Sequence, residues 1–494
     1  MLQGCSLPAL QPRQESTFIP LFEVEDTGLG RGILPLVEAR NGLSGYYPLT
    51  DSLDAFAARM LMIYAAERSL DVQYYIWRRD LTGVLLLGAL YDSAERGVRV
   101  RLLLDDHGTA DLDDLLTVLN QHPNIEVRLF NPYPNRRFKY SRFLWDPHLA
   151  NRRMHNKSII ADNLVALGGG RNIGDEYFGA TDGILFSDLD VLVVGPVVQE
   201  TSADFDQFWQ SPLSYPSDQL IDLDVTEDVL FMVLMDKYRA PNNAHYLQAV
   251  INNELLARVV SGDLMLQWVD VDLVSDSPVK IKGHEQGDAS LVAQLAEVLD
   301  KPTTSLDIVS PYFVPGKKGV DALVALQRRG VQVRVLTNAR ESTDVLAVHA
   351  GYARYRKALL REGIELYEMR RHMHQDERDE KNQLWGSSGT SLHAKTFAIN
   401  RQRVFIGSFN FDPRSVFLNS EMGFVIHSPP LAQAISATFT EALPAVAYRV
   451  TLSETGRLQW HLANGVVLDR EPGSGFWGNR LLNVLSILPI EGLL

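Results

Sequence analysis

The chain has 494 residues, 46% of them hydrophobic and 22% charged, an ordinary globular composition with room for two or three domains. Its net charge of −14 argues against general, charge-driven binding to nucleic acid. The single cysteine, Cys5, excludes an intrachain disulfide framework and a cysteine-rich metal site, and no unbroken apolar run of roughly 18 residues predicts a membrane span.

Residues 1 to about 45 contain Pro and Gly without a lasting period and read as a loosely attached arm. Leu2-Gln3-Gly4-Cys5 matches the end of a bacterial lipoprotein signal, and Ser6-Leu7-Pro8 the tether after a lipidated cysteine. The charged and apolar regions that precede such a site are absent, so the expectation is a start further upstream or a chance match. In residues 52–66, Leu53, Phe56, Ala57, Met60, Leu61 and Tyr64 recur at helical spacing and predict a core-facing helix. A buried strand follows at 70–77, then a helix at 84–96 with Gly97 as its C-cap, and strands at 98–104 and 125–130.

This order returns roughly 235 residues later: strands at 306–314, 331–336 and 364–368, with a helix at 323–329 closed by Gly330. Strands alternating with helices, twice over, predict two α/β units, each with a mixed, largely parallel sheet. The expected division is an arm at 1–45, a first half at 46–210, an insertion at 211–284, a second half at 285–448 and a tail at 449–494.

Each half contains the same pattern of reactive residues. His155, Lys157, Asp162, Gly169 and Asn172 stand opposite His393, Lys395, Asn400, Gly407 and Asn410. Ser158-Ile159-Ile160 and Thr396-Phe397-Ala398 read as strands, so each His and the Lys two positions on share a face. Asp162 and Asn400 have the wrong parity for that face and sit in turn signals, which predicts hairpin corners. Two such units face to face supply His, Lys and Asn around one small volume. That set suits a phosphoryl group: Lys and Asn hold the oxygens, one His attacks, and the other handles the proton of the leaving group. Further on, Asp188 and Glu421 align, each placed where a carboxylate can fix the tautomer of a catalytic His.

The paired motif resembles the phospholipase D superfamily, whose signature is H-x-K-x(4)-D followed by G-[SG]-x-N. The wider chain is similar to bacterial cardiolipin synthases of the C type. That resemblance rests on Ser69-Leu70-Asp71-Val72-Gln73-Tyr74-Tyr75-Ile76-Trp77, Arg152-Arg153-Met154-His155-Asn156-Lys157-Ser158, Gly169-Gly170-Arg171-Asn172-Ile173-Gly174-Asp175 and Phe405-Ile406-Gly407-Ser408-Phe409-Asn410-Phe411-Asp412-Pro413-Arg414-Ser415. It runs from about Leu49 to the C-terminus, with Asn400 standing where the family has Asp.

The resemblance implies a two-lobed phospholipase D-like fold with one active site at the junction of duplicated halves. It implies phosphatidyl transfer in cardiolipin synthesis through a phosphatidyl-histidine, with His155 attacking and His393 as acid/base. Lys157, Lys395, Asp162 and Asn400 count with them in the catalytic motif. Asn172, Asn410 and Ser408 are expected on the substrate phosphate, and Asp188 and Glu421 as the residues that orient the histidines. No metal and no other cofactor is expected. The expected partners are phosphatidylglycerol, a second phospholipid such as phosphatidylethanolamine, and the surface of a bacterial cell membrane, with no nucleic acid. The alternatives are a phospholipase D-type phosphodiesterase that hydrolyses phospholipid or nucleic acid, and an inactive membrane-binding scaffold.

Three further stretches bear on that partner. Arg136-Arg137-Phe138-Lys139-Tyr140-Ser141-Arg142-Phe143-Leu144-Trp145 mixes bases and rings, as suits a lipid interface, a single nucleic-acid strand or a solvated loop. Residues 476–488 are apolar with one charge and suit either an interfacial helix or one docked on the core. His372 and His374 lack the further ligands of a metal site, and the acidic run 376–380 reads as a solvated face.

Overall fold

The structure is a computed structural model that describes residues 7–13, 15–136, 138–139, 142–181, 185–261, 263–283, 287, 290–299, 301–371 and 391–474. Cys5, the His372 and His374 pair, the run 376–380 and the apolar stretch 476–488 lie outside the described residues.

The first half runs β1 (Ser44–Leu49), β2 (Ser69–Ile76), β3 (Arg99–Gly108), β4 (Ile125–Phe130), β5 (Ser158–Ala161), β6 (Val165–Gly169), β7 (Phe186–Ser187) and β8 (Asp190–Val194). Then come β9 (Ser214–Pro216) and β10 (Gln267–Val269). The second half runs β11 (Val271–Ser275), β12 (Ser305–Val309), β13 (Gln332–Asn338), β14 (Glu365–Met369), β15 (Ser391–Leu392), β16 (Thr396–Ile399), β17 (Arg403–Gly407) and β18 (Met422–Ile426). It ends with β19 (Ala447–Leu452), β20 (Leu458–His461) and β21 (Val467–Leu468).

Among the described residues these strands form a nine-stranded sheet, β10-β1-β8-β6-β5-β2-β3-β4-β9, a ten-stranded sheet, β11-β18-β17-β16-β12-β13-β14-β19-β20-β21, and a parallel pair, β15-β7, with one strand from each half. β2, β3 and β4 are parallel, as are β12, β13 and β14, and the remaining pairs in both sheets are antiparallel. The class is therefore α/β with duplicated mixed-sheet halves. β2 is buried along most of its length because helices Ser52–Ala65 and Leu81–Glu95 cover one face and helix Pro196–Gln210 lies on the other. One core joins the halves: Ile160, Ala166, Val191 and Val193 of the first sheet pack in the same cluster as Ala398, Ile406 and Phe424 of the second.

Local chemistry sets where elements start and stop. The Asp80 carboxylate accepts from Gly83 N, so the helix predicted from residue 84 begins at Leu81. Gly97 and Gly330 take φ values of +94° and +88° after their helices, the left-handed cap that glycine adopts without strain.

The domain borders need correcting at three places. The arm is tied to the first half: Ser16 O accepts from the buried Arg101, Ser16 Oγ accepts from Trp209 Nε1, and Phe18 N donates to Asp206. It holds a helix, Gly28–Glu38, capped by Thr27, and its last residues start β1. The insertion expected at 211–284 contributes strands to both sheets. β10 pairs with β1 of the first sheet and β11 with β18 of the second, so the chain changes halves at Asp270. The tail extends the second sheet through β19–β21, where Trp460 Nε1 donates to the buried Glu368.

Candidate active site

Each motif begins just before a hairpin strand. β5–β6 and β16–β17 fold back through left-handed corners, with φ of +51° at Asp162 and +54° at Asn400. The Asp162 carboxylate accepts from the backbone N–H of Glu67, Arg68 and Ser69 at 3.0, 2.8 and 2.8 Å. Asn400 Oδ1 accepts from Thr303 N and Thr304 N at 2.8 and 2.9 Å. Both residues pin a hairpin corner to the start of β2 or β12. Their place in the catalytic signature is corrected accordingly: they hold backbone and are not seated with the histidines.

The motif ends are stitched across the junction. His155 N donates to Ser420 O at 2.9 Å, and Ser420 N donates to Arg153 O. His393 N donates to Ser187 O at 2.7 Å beside the β7–β15 pair. These contacts set each imidazole against the next residue of the opposite half. His155 Nδ1 is 2.7 Å from Glu421 Oε2, and His393 Nδ1 is 2.5 Å from Asp188 Oδ2. Each histidine is thus oriented by the other half's carboxylate, an exchange that chain order does not reveal. With Nδ1 engaged, Nε2 of each ring is the nitrogen left for substrate.

The lysines lie under the rings. Lys157 Nζ donates to His155 O at 2.5 Å, and Lys395 Nζ donates to His393 O and lies 3.2 Å from His393 Nε2. Asn172 is fixed at both ends: Oδ1 accepts from Ile76 N at 3.3 Å and Nδ2 donates to the Tyr177 hydroxyl at 3.0 Å. Asn410 differs, because its buried Oδ1 accepts no hydrogen bond among the described residues. Ser408 is corrected from a phosphate ligand to a support for Glu421. Its Oγ donates to Glu421 Oε2 at 2.5 Å, and Ser415 Oγ donates to Oε1 at 2.8 Å.

Several neighbours lie outside the repeated pattern of reactive residues. Tyr75 sits edge-on to His155, with ring centroids 4.9 Å apart, and Lys157 Nζ lies 5.6 Å from the Tyr75 centroid. Tyr177 and Phe186 pack on His393 at 5.2 and 5.1 Å. Arg414 reaches across the junction to Asn151 Oδ1 and O. Beneath Glu421, Asp276 Oδ2 accepts from Glu421 N and from Lys280 Nζ. Alternating apolar strands do not say which rings face a cleft and which face the core.

Burial shapes the charge balance. His155 is held well below the usual histidine range by burial and by the cations Lys157 and Lys395. Burial and Lys395 also lower His393, with Asp188 opposing. Burial pushes the Asp188 carboxyl up, but His393, Lys395 and Arg171 outweigh it and hold Asp188 well below the carboxylate range. Glu421 goes the other way, raised by burial against the opposing Lys157 and Ser408. Burial brings Lys157 down to about 7 and lowers Lys395.

The base-and-ring stretch from Arg136 to Trp145 is mostly self-satisfied where it is described. Arg136 binds Asp113 and Asp106, Lys139 Nζ donates to Asp106 and Thr109, and Arg142 donates to Pro132 O. These cations serve the protein's own carboxylates and carbonyls. Phe138, in contrast, is 63% exposed. Behind it lies a cavity of about 730 Å³ that His107 also lines, and His107 stacks on Tyr75. No described helix is long and apolar enough to cross a membrane.

Duplicated sheets and a two-histidine site at their junction define a phospholipase D-like protein. The family described as "Cardiolipin synthase, PLD-like domain" matches residues 60–209 and 295–443. Cardiolipin synthase C of Escherichia coli (strain K12) is 44% identical over 476 residues, covering 94% of this chain and 99% of that protein. A cardiolipin synthase of Clostridium perfringens (strain SM101 / Type A) is 24% identical over 422 residues, 84% of this chain and 72% of that one. The crystal structure of phosphatidylserine synthase from Haemophilus influenzae Rd KW20 shares the fold, with a TM-score of 0.59 at 13% identity over 92% of this chain and 98% of that one. The chain belongs to the cardiolipin synthase family of phospholipase D-like proteins.

Proposed function

We propose that the two-histidine site is a phosphatidyltransferase that makes cardiolipin from phosphatidylglycerol and a second phospholipid. The observation that carries this reading is the crossed pairing of His155 with Glu421 and His393 with Asp188, which leaves two Nε2 atoms for one phosphorus. Membership of the cardiolipin synthase family supplies the lipid.

The two pairs suit different roles. His155 is neutral at neutral pH and faces the less acidic carboxyl, which favours a nucleophile. His393 faces Asp188, a carboxylate that stays ionised and stabilises an imidazolium, which favours an acid/base. In the first step His155 Nε2 bonds to phosphorus as the headgroup P–O bond breaks, and His393 delivers its proton to the departing alkoxide. The phosphatidyl-histidine is then attacked by a hydroxyl of the acceptor lipid. His393 takes the hydroxyl proton, the new P–O bond forms, and the P–N bond to His155 breaks. One phosphodiester is exchanged for another, so no energy source is consumed. Lys157 and Lys395 offset charge on the phosphoryl oxygens and the amide N–H groups of Asn172 and Asn410 donate to them, so the scheme uses no metal or organic cofactor.

The second phospholipid is another phosphatidylglycerol or phosphatidylethanolamine. The site of action is a bacterial cell membrane surface, reached as a peripheral or lipid-anchored protein, and exposed Phe138 and Phe143 suit such an interface. The test is mass spectrometry of lipids from cells that lack their own cardiolipin synthases and express this chain. Cardiolipin is expected; phosphatidate without cardiolipin would replace transfer with hydrolysis.

A further inference from the structure

We propose that Tyr312, Asp344 and Asn410 form the alcohol subsite, and that Asp344 selects alcohols bearing a hydrogen-bond donor, hydroxyl or ammonium, beside the reacting oxygen. The inference rests on the phosphatidyl-transfer reading. It begins from a difference between two equivalent places. Trp77 bridges Ile173 just as Phe313 bridges Phe411, so Ile76 of the first half stands opposite Tyr312 of the second. Ile76 offers the site only its backbone N–H, which Asn172 takes. Tyr312 instead brings a hydroxyl, and that hydroxyl donates to Asp344 Oδ2 at 2.6 Å.

This pair sits on the His393 side of the site. The charge of Asp344 bears on both His393 and Lys395, opposing the effect of burial on each. Tyr312 in turn interacts with Tyr177, whose ring packs on His393. Burial and Asp344 keep the Tyr312 phenol protonated, so it donates and Asp344 remains the acceptor. Asp344 is exposed, and the oxygen that accepts from Tyr312 is Oδ2. Asn410 adds an open acceptor, since its Oδ1 is buried and unpartnered among the described residues. An anionic acceptor on the His393 side favours a donor-rich ligand over a phosphate because two anions repel, and the open Asn410 Oδ1 adds a buried acceptor that is costly to leave unmade.

The chemistry then has a defined place for each group. The reacting hydroxyl gives its proton to His393 and its oxygen to phosphorus. In the acceptor lipid the second hydroxyl of the glycerol headgroup, on the neighbouring carbon, binds Asp344 Oδ1. In the first step the same oxygen holds the departing headgroup, through the second hydroxyl of a glycerol or the ammonium of an ethanolamine.

The experiment uses the full chain with phosphatidyl-p-nitrophenol as donor, whose good leaving group makes no use of the subsite. Glycerol, ethanolamine and 1-propanol compete as acceptors. Wild type should prefer glycerol or ethanolamine to 1-propanol by about tenfold or more, as sites built around a hydrogen bond do. Asp344→Asn should bring the affected ratio to within about twofold, with Tyr312→Phe between, because a charge-assisted bond is lost or loosened. A burst of p-nitrophenol from each variant, at whatever rate, shows folding and an intact nucleophile, and the acceptor ratios alone report the subsite. Loss confined to glycerol assigns the recognised group as hydroxyl, and loss confined to ethanolamine assigns it as ammonium. Unchanged ratios in a bursting Asp344→Asn enzyme would overturn the subsite alone. A wild type that only hydrolyses the donor overturns the transfer reading, and the subsite with it.

Discussion

His155 and His393 hold equivalent positions in the two halves, yet the carboxylates facing them are pushed in opposite directions. Glu421 is raised by burial, while Asp188 is held low because His393, Lys395 and Arg171 outweigh its burial. The asparagines differ too: Asn172 is bonded at both ends and Asn410 is open at Oδ1. A duplicated motif therefore does not give a symmetric site. Because each half orients the other half's histidine, neither half is a complete catalyst, and small differences between the halves become a division of labour.

The largest expected effects come from removing the histidines. His155→Ala and His393→Ala should each abolish cardiolipin formation, since neither ring can replace the other. A donor with a good leaving group separates them. With phosphatidyl-p-nitrophenol, His393→Ala should still give a burst of p-nitrophenol, because that alcohol departs without a proton, whereas His155→Ala should give none. Bursts from both variants, or from His155→Ala alone, would reverse or erase the division of roles.

Next in size is the exchange of carboxylates. Glu421→Gln should impair attack and Asp188→Asn should impair proton transfer, each by about a hundredfold or more, as loss of an orienting carboxylate does. Burst kinetics with the activated donor should show Glu421→Gln slowing the burst and Asp188→Asn sparing it. The opposite pattern would mean that each carboxylate serves the histidine of its own half.

Why the exchange escapes sequence reading is instructive. The motif spacing places His and Lys on one face, and the hairpin corners follow from turn chemistry, so those features are legible in order along the chain. The repeat of strand, helix and cap likewise foretells the α/β halves. The pairing of His155 with Glu421 depends on how two sheets meet, through His155 N to Ser420 O, and nothing local encodes it. Ser408 misleads for a related reason. Its place in the signature suggests a ligand, but its hydroxyl donates to the buried Glu421. The change of halves at Asp270 is similarly hidden, because β10 and β11 lie one residue apart in the chain yet pair with strands of different sheets.

A smaller effect follows from Lys157, which burial lowers to about 7. In the free enzyme its cation is present below that pH and lost as pH rises through it. kcat/KM should therefore fall above about pH 7, by up to about tenfold per unit, while kcat holds to higher pH because bound phosphate favours the cation. The acid limb should lie below the ordinary histidine value of 6.5, since His155 is lowered and must be neutral to attack. Profiles of both parameters on lipid micelles test this. An alkaline limb absent from kcat/KM would remove Lys157 from substrate capture.

The smallest effects are expected at the hairpin corners, where the halves differ by one atom type. Asp162 accepts three backbone N–H groups, whereas Asn400 Oδ1 accepts two and its Nδ2 lies 3.5 Å from Lys301 O. Asp162→Asn turns a donor toward an N–H donor, so it should cost roughly 1–3 kcal/mol of stability in a denaturant melt. Asn400→Asp restores the signature residue and strengthens two bonds by charge, at the loss of a long one to Lys301 O. Its stability should change by no more than about 1 kcal/mol. Its turnover should change less than about tenfold, because a corner residue acts on stability, whereas a catalytic acid or base moves rate by about a hundredfold or more. Steady-state kinetics and a melt on the same purified variant separate the two scales. A hundredfold gain in turnover at unchanged stability would make the corner carboxylate catalytic and the second half, as it stands, impaired.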